Sequence, residues 1–149
     1  MRTLLFDGRV WDCMRVTEVE EKKKQYLPLL LLADEQEDMI DRYLERGTMY
    51  VLEDDGLCCE CVVTDEGDGV LEIKNIATLP ERQRKGYAGR LIEFLADKYT
   101  GQYRLLHILC GLQLLNQLLP PVFKRGYCVH LPLSVPARRI PRGFLLILL

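Results

Sequence analysis

The chain has 149 residues, 48% of them hydrophobic and 28% charged, with a formal net charge of −2. That is one globular domain, long enough to bury a core, too short for two sizeable ones and too apolar for intrinsic disorder. No apolar run approaches the ~20 residues of a membrane-spanning helix, a slightly acidic chain poorly suits a general nucleic-acid binder, and the N-terminus lacks a leader-like apolar stretch; a soluble cytoplasmic protein is expected.

Residues 13–18 read as a short first strand. A helix is expected over about 19–32, begun or broken by Pro28. Asp34 with Glu37 three positions on marks a second helix start; Met39, Ile40, Tyr43 and Leu44 form its apolar face and Gly47 its stop. Three strand-like runs follow, Thr48–Glu53, Leu57–Thr64 and Val70–Thr78. Asp54-Asp55-Gly56 and Asp65-Glu66-Gly67-Asp68-Gly69 separate them, which predicts an antiparallel meander. From Gly86 the period changes: Ala88, Leu91, Ile92, Leu95 and Tyr99 recur at helical spacing. Tyr103–Cys110 reads as a buried strand. The order β-α-α-β-β-β-α-β makes the fold α+β, a mixed α/β layered domain.

Two compositional features cut across this order. All 22 acids lie at or before Asp97, whereas residues 105–149 carry five basic residues, fourteen leucines, five of the seven prolines and both histidines. The six cysteines include Cys58-Cys59-x-Cys61, but no CxxC occurs, His107 and His130 are distant, and strand alternation sends Cys58 and Cys59 to opposite faces; buried reduced thiols are expected and no metal.

Chemistry concentrates where the Val70–Thr78 strand passes through Leu79-Pro80-Glu81-Arg82 into Gln83-Arg84-Lys85-Gly86-Tyr87-Ala88-Gly89 and then a helix. A helix N-terminus offers unpaired N–H groups and partial positive charge, Gly86 and Ala88 allow close backbone approach, and Arg84 and Lys85 add cations. This is an anion cradle; the plainer alternative is a glycine-containing helix entry with solvated charges. A Walker loop is absent, and a dinucleotide fingerprint would need two further glycines after the first strand of a parallel unit.

Gln83-Arg84-Lys85-Gly86-Tyr87-Ala88, with Ile76-Ala77-Thr78 and Pro80-Glu81 before it and Leu91 and Leu95 after it, resembles the [Q/R]-x-x-G-x-[G/A] region of the GNAT superfamily of acetyl-CoA-dependent N-acetyltransferases. The resemblance covers about residues 1–110. It implies a GNAT-like acyl-CoA N-acyltransferase fold, a mostly antiparallel sheet flanked by helices. It implies a transferase that binds acetyl-CoA: the backbone of Ile76, Ala77 and Thr78 pairs with the pantetheine arm, and N–H groups from Arg84 through Gly89 cradle the pyrophosphate, with Gln83 opening that loop. A neutral amine attacks the thioester directly, so the enzyme supplies proximity, carbonyl polarisation, a base and an acid. Glu72 is the candidate base; otherwise it is a solvent-facing strand residue paired with Lys74. Glu81 reads as a turn residue.

Past Cys110 the sequence departs from the family. Val122-Phe123-Lys124-Arg125-Gly126-Tyr127 echoes a Phe-Tyr-x-Lys-x-Gly-Phe-like motif, but Phe123 occupies the place of the acid tyrosine, leaving Tyr127 as the substitute. Pro120-Pro121 shorten any helix before it, and Pro132, Pro136 and Pro141 prevent long ladder strands after it. Three accounts of this end are open: a diverged family ending with leucines packed on the sheet, a segment for a partner or membrane surface, or a change of reading frame near Leu105, to which the abrupt loss of acids is best matched. The domain is taken as 1–149 with an atypical end at 110–149. The expected function is acetyl transfer to an amine, the alternative a catalytically impaired acyl-CoA-binding or interaction domain. The acceptor and the oligomeric state are left open, although acids at 34–41 and 53–68 would attract a cationic amine and an exposed Phe144–Leu149 would favour self-association.

Overall fold

The computed structural model describes residues 14–109 and 128–133. Strands β1 (Met14–Val19), β2 (Thr48–Asp54), β3 (Leu57–Gly67), β4 (Val70–Thr78), β5 (Leu105–Leu109) and β6 (Cys128–Pro132) form one six-stranded sheet in sequential order. Every neighbouring pair is antiparallel except β4 and β5, which run parallel because α3 (Tyr87–Tyr99) crosses between them. The expected order holds, with β6 added beyond it.

Helix α3 lies on one face, burying Leu91, Ile92 and Leu95 with Tyr50, Cys59, Ile73 and Ile76; each such aliphatic side chain contributes roughly 1.5–3 kcal/mol relative to exposure. On the opposite face, α1 (Leu27–Leu30) and α2 (Glu37–Leu44) cover a second cluster built from Leu30, Ile40, Leu44, Met49, Val51 and Val62. Leu133, just after β6, is fully buried in the α3-side cluster.

The first helical region is shorter than expected. Instead of a helix over 19–32, a 3-10 turn at Lys23–Tyr26 leads into the single turn of α1, with Pro28 at its start, where a missing N–H costs nothing. Helix α2 begins at Glu37 with Gln36 as N-cap; Asp34 accepts the Gln36 N–H in a turn ahead of it. Gly47 does end this region, and for a packing reason. A Cβ there would lie 2.7 Å from Val62 Cγ1 and 2.8 Å from the Tyr43 carbonyl.

Two of the three register shifts in β2–β3 and β3–β4 shape the site. Between β2 and β3 the register slips after Leu52, so Cys58 and Cys59 both join the α3-side cluster rather than facing opposite ways. Cys58, Cys59 and Cys61 are free and buried, and burial raises the thiol pKa of Cys59 and Cys61, which keeps them protonated and unreactive. Between β3 and β4, Val62 pairs with Asn75 and Val63 with Ile73, leaving Lys74 as an extra residue in β4. This bulge sits where β4 parts from β5.

Candidate functional site

The β4–β5 ladder runs from Val70–Leu105 to Ile73–Ile108 and stops. Beyond it, among the described residues, Lys74 to Thr78 of β4 have β3 on one side and no strand on the other. A bulge bends its strand and increases local twist, so the extra Lys74 accounts for the divergence. The Leu79 N–H donates to the Cys58 carbonyl at 2.9 Å. By antiparallel alternation the backbone groups of Ala77 turn the same way, toward β3, while those of Ile76 and Thr78 turn to the open edge. The Thr78 carbonyl accepts there from Gln83 Nε2 at 3.2 Å. Ile76, Ala77 and Thr78 are themselves buried.

The chain then makes a 3-10 turn, Pro80–Arg82, with Glu81 exposed in it as a turn residue, and enters the loop before α3. Arg84 and Gly86 take left-handed backbone angles, φ 63° and 82°, and Gly86 is the N-cap of α3. The first helical bond of this end runs from Arg90 N–H to the Gly86 carbonyl. Among the described residues, no backbone carbonyl accepts from the N–H groups of Arg84 through Gly89. Arg84, Lys85 and Gly86 are exposed, and no carboxylate among the described residues pairs with either cation. Among the described residues, a Cβ added at Gly86 would meet nothing within 4 Å. A donor-rich, positively charged loop therefore stands at the end of the open strand edge.

Glu72 lies on the α1/α2 face of β4, directly opposite His107 of β5. It is 7% exposed, so the solvent-facing expectation does not hold. Its pairing with Lys74 does: Lys74 Nζ is 2.7 Å from Oε1, and His107 Nδ1 is 3.3 Å from Oε2. Lys74 also reaches Glu66 at 3.1 Å, and Arg46 does so at 2.9 Å. A Thr64 hydroxyl bond, aided by these cations, lowers the Glu66 pKa to about 2. Three of the other acids expected to attract an amine are also paired, Glu37 and Asp41 with Lys24 and Glu53 with Arg15.

Two features have no counterpart in the sequence reading. Glu60, opposite Ala77 in the β3–β4 ladder, is fully buried; among the described residues neither carboxyl oxygen has a well-formed hydrogen bond, and burial raises its pKa well above the carboxylate range. Its signal was available: a lone acid among Cys58, Cys59, Cys61, Val62 and Val63. The second is the attachment of Arg82 and Tyr87 to the β2–β3 hairpin, which pattern reading along the chain cannot reach. Phe123, Tyr127 and Phe144–Leu149 lie outside the described residues.

The model of the Acetyltransferase (GNAT) domain family matches residues 45–123, which takes in the meander, the open edge, the cradle and α3. The chain belongs to the GNAT acetyltransferase family. An uncharacterized N-acetyltransferase of Bacillus subtilis, YvbK, is 36% identical over 80 residues, 53% of this chain and 52% of the relative, so the chain spans about half the length of this curated relative. A GNAT family acetyltransferase from Elizabethkingia anophelis, solved with acetyl-CoA bound, superposes with a TM-score of 0.62 at 28% identity over 67% of each chain. A Bacillus subtilis acetyltransferase solved with CoA gives 0.61 at 32% identity over 66% of each. The α+β GNAT fold is thus common to this chain and to proteins solved with acetyl-CoA or CoA. Among the described residues, no helix is long and apolar enough to cross a membrane.

Proposed function

We propose that the protein is an acetyl-CoA-dependent N-acetyltransferase that transfers the acetyl group to a primary amine by direct attack. One observation carries the reading: among the described residues, the edge of β4 at Ile76 and Thr78 has no strand beside it and continues into a helix N-terminus whose N–H groups, Arg84 through Gly89, find no carbonyl. The two parts fit a ligand with an amide-bearing arm at one end and phosphates at the other. The arm's amides match the outward backbone groups of Ile76 and Thr78, and the phosphates match the cradle with Arg84 and Lys85. Acetyl-CoA, when bound, supplies an acetyl group activated as a thioester. The binding of acetyl-CoA and of CoA by the two solved relatives supports the assignment.

Within this reading the chain's residues orient the reactants and handle a proton. Glu72, just before the Lys74 bulge, takes the proton of the incoming ammonium, directly or through water. Tyr127 is the proposed acid for the leaving thiolate. The proposed domain spans 1–149; the pairing of β6 with β5 and the burial of Leu133 support including this end in it. The engagement of both Glu72 oxygens favours a second reading, an acyl-CoA-binding domain impaired in catalysis.

The test is incubation of the full chain with acetyl-CoA and a panel of primary amines, including polyamines, aminoglycosides and peptide N-termini, followed by mass spectrometry of the acetylated product. Transfer to one class, reduced about 10²–10⁴-fold by Glu72→Gln, is expected. Saturable acetyl-CoA binding without transfer to any amine would select the second reading.

A further inference from the structure

We propose that Asp54, at the tip of the β2–β3 hairpin, is a positioning residue whose carboxylate holds the exit of the anion-binding loop while the hairpin's backbone carbonyls hold its entry. The inference rests on the reading of that loop as the phosphate site of acetyl-CoA.

The loop is left-handed at Arg84 and Gly86, and its N–H groups are useful to an anion only while they converge. Within the loop Gln83 alone is tied, its side chain to the Thr78 carbonyl and its N–H to the Pro80 carbonyl, and among the described residues the N–H groups of Arg84 through Gly89 find no carbonyl. The restraint comes from the hairpin instead. At the entry, Arg82 donates from Nη1 to the Asp54 carbonyl at 3.0 Å and from Nη2 to the Asp55 carbonyl at 2.8 Å. At the exit, the Tyr87 hydroxyl, on the first residue of α3, donates to Asp54 Oδ2 at 2.7 Å. The hairpin tip thus ties down the chain on both sides of Gln83–Gly86, through the Asp54 and Asp55 carbonyls at the entry and the Asp54 carboxylate at the exit.

The hairpin is a firm support. Asp55 and Gly56 adopt positive φ of 52° and 105°, as a tight Asp-Gly turn requires, and the Asp54 N–H donates to the Gly56 carbonyl at 2.9 Å. The Cys58 thiol donates to the carbonyls of Asp54 and Gly56, and the Leu79 N–H closes back on the Cys58 carbonyl. The hairpin and the turn that launches the loop are therefore one hydrogen-bonded unit.

Charge points the same way. A carboxylate one hydrogen bond from the first residue of α3 opposes both the helix dipole's attraction for an anion and the anion itself. Asp54 is electrostatically the wrong residue beside a phosphate cradle. Its geometry as an acceptor explains its place, and the bond to Asp54 raises the Tyr87 phenol pKa, as a donor committed to a carboxylate should show. Charge and hydrogen bonding can be separated, because asparagine retains an acceptor oxygen without the charge.

The experiment uses the full chain as wild type, Asp54→Ala, Asp54→Asn, Tyr87→Phe and the Asp54→Ala/Tyr87→Phe double variant. Acetyl-CoA affinity is measured by calorimetry, and amide exchange over residues 84–89 is followed without ligand. Asp54→Ala should weaken acetyl-CoA binding about tenfold, the scale of one charge-assisted hydrogen bond. Tyr87→Phe should do so comparably, and the double variant should be no weaker than the worse single one. Asp54→Asn should bind as tightly as wild type or more so. Exchange at 84–89 should quicken in Asp54→Ala and Tyr87→Phe and stay near wild type in Asp54→Asn.

Asp54→Ala with wild-type affinity and exchange, merely lowered in melting temperature, would overturn the proposal, as would additive losses or an Asp54→Asn as weak as Asp54→Ala. Should Asp54→Ala fail to fold, Tyr87→Phe, which removes a single hydroxyl, decides by the same readouts. A wild type that does not bind acetyl-CoA would refute the cofactor reading, while the exchange rates would still decide the tether.

Discussion

Gly86 and Gly67 form a matched pair for separating fold from function. Both have positive φ, 82° and 86°, and among the described residues an added Cβ would meet nothing within 4 Å at either. Replacing either by alanine therefore costs backbone strain alone, about 1–2 kcal/mol for a left-handed non-glycine residue. For a domain of this size that is a fall in melting temperature of roughly 3–8 °C. The two sites differ in surroundings: Gly67 ends β3 at a hairpin, whereas Gly86 stands at the mouth of the cradle, where the empty space is that of the proposed phosphate. Gly86→Ala should lower the melting temperature about as much as Gly67→Ala and weaken acetyl-CoA binding at least tenfold, about 1.4 kcal/mol. Gly67→Ala should leave binding unchanged. Paired thermal melts and calorimetric titrations read both quantities. Equal affinities for the two variants would refute the assignment of the open space at Gly86 to the ligand.

Other consequences concern buried polar groups. Asn75 Nδ2 donates to the Leu30 carbonyl at 3.0 Å and the Tyr43 hydroxyl at 2.8 Å, tying β4 to α1 and α2. Asn75→Ala should cost roughly 2–4 kcal/mol in urea unfolding, from the lost bonds, the stranded acceptors and the cavity. Glu60 binds its proton far more tightly folded than unfolded, so its contribution is full below the unfolded pKa of about 4.3 and is lost as pH rises toward the raised folded value. Glu60→Gln should thus gain stability over wild type between pH 5 and pH 8. Glu66 runs the other way: with a folded pKa of about 2, it stabilises above about pH 4.3 and that contribution disappears as pH falls toward 2. Glu66→Gln should flatten the acid limb of the urea midpoint against pH and leave its alkaline limb unchanged.

The strands and α3 were legible because their signals are local. Asp-Gly pairs mark the hairpins, Val70–Thr78 is found with its bounds unchanged, and α3 begins one residue after Gly86. The first helical region misleads because Pro28 allows only one turn of α1. The strand periodicity fails at Cys58 and Lys74 for one shared reason: a bulge adds a residue, and every inference of which face a side chain takes shifts with it. The second bulge is also what frees the edge of β4, so part of the site's geometry is invisible to pattern alone. The loop and the start of α3 were readable, because a glycine-bearing basic stretch before an amphipathic run marks a helix entry in its composition. The partners of Glu72 were half readable. Lys74 stands two residues away, whereas His107 meets Glu72 only through the parallel pairing of β4 with β5. The tether at Asp54 spans 33 positions to Tyr87 and exists only in the folded sheet.

The central claim is that the β4 edge and the cradle before α3 form a site for acetyl-CoA. The most direct measurement is calorimetric titration of the full chain with acetyl-CoA, repeated on Gly86→Glu, which places a carboxylate in the space proposed for the phosphates. Saturable one-to-one binding by the wild type, abolished in a folded Gly86→Glu variant, is the expected result. A folded wild type that takes up no acetyl-CoA, or a Gly86→Glu variant that binds it equally well, would contradict the account.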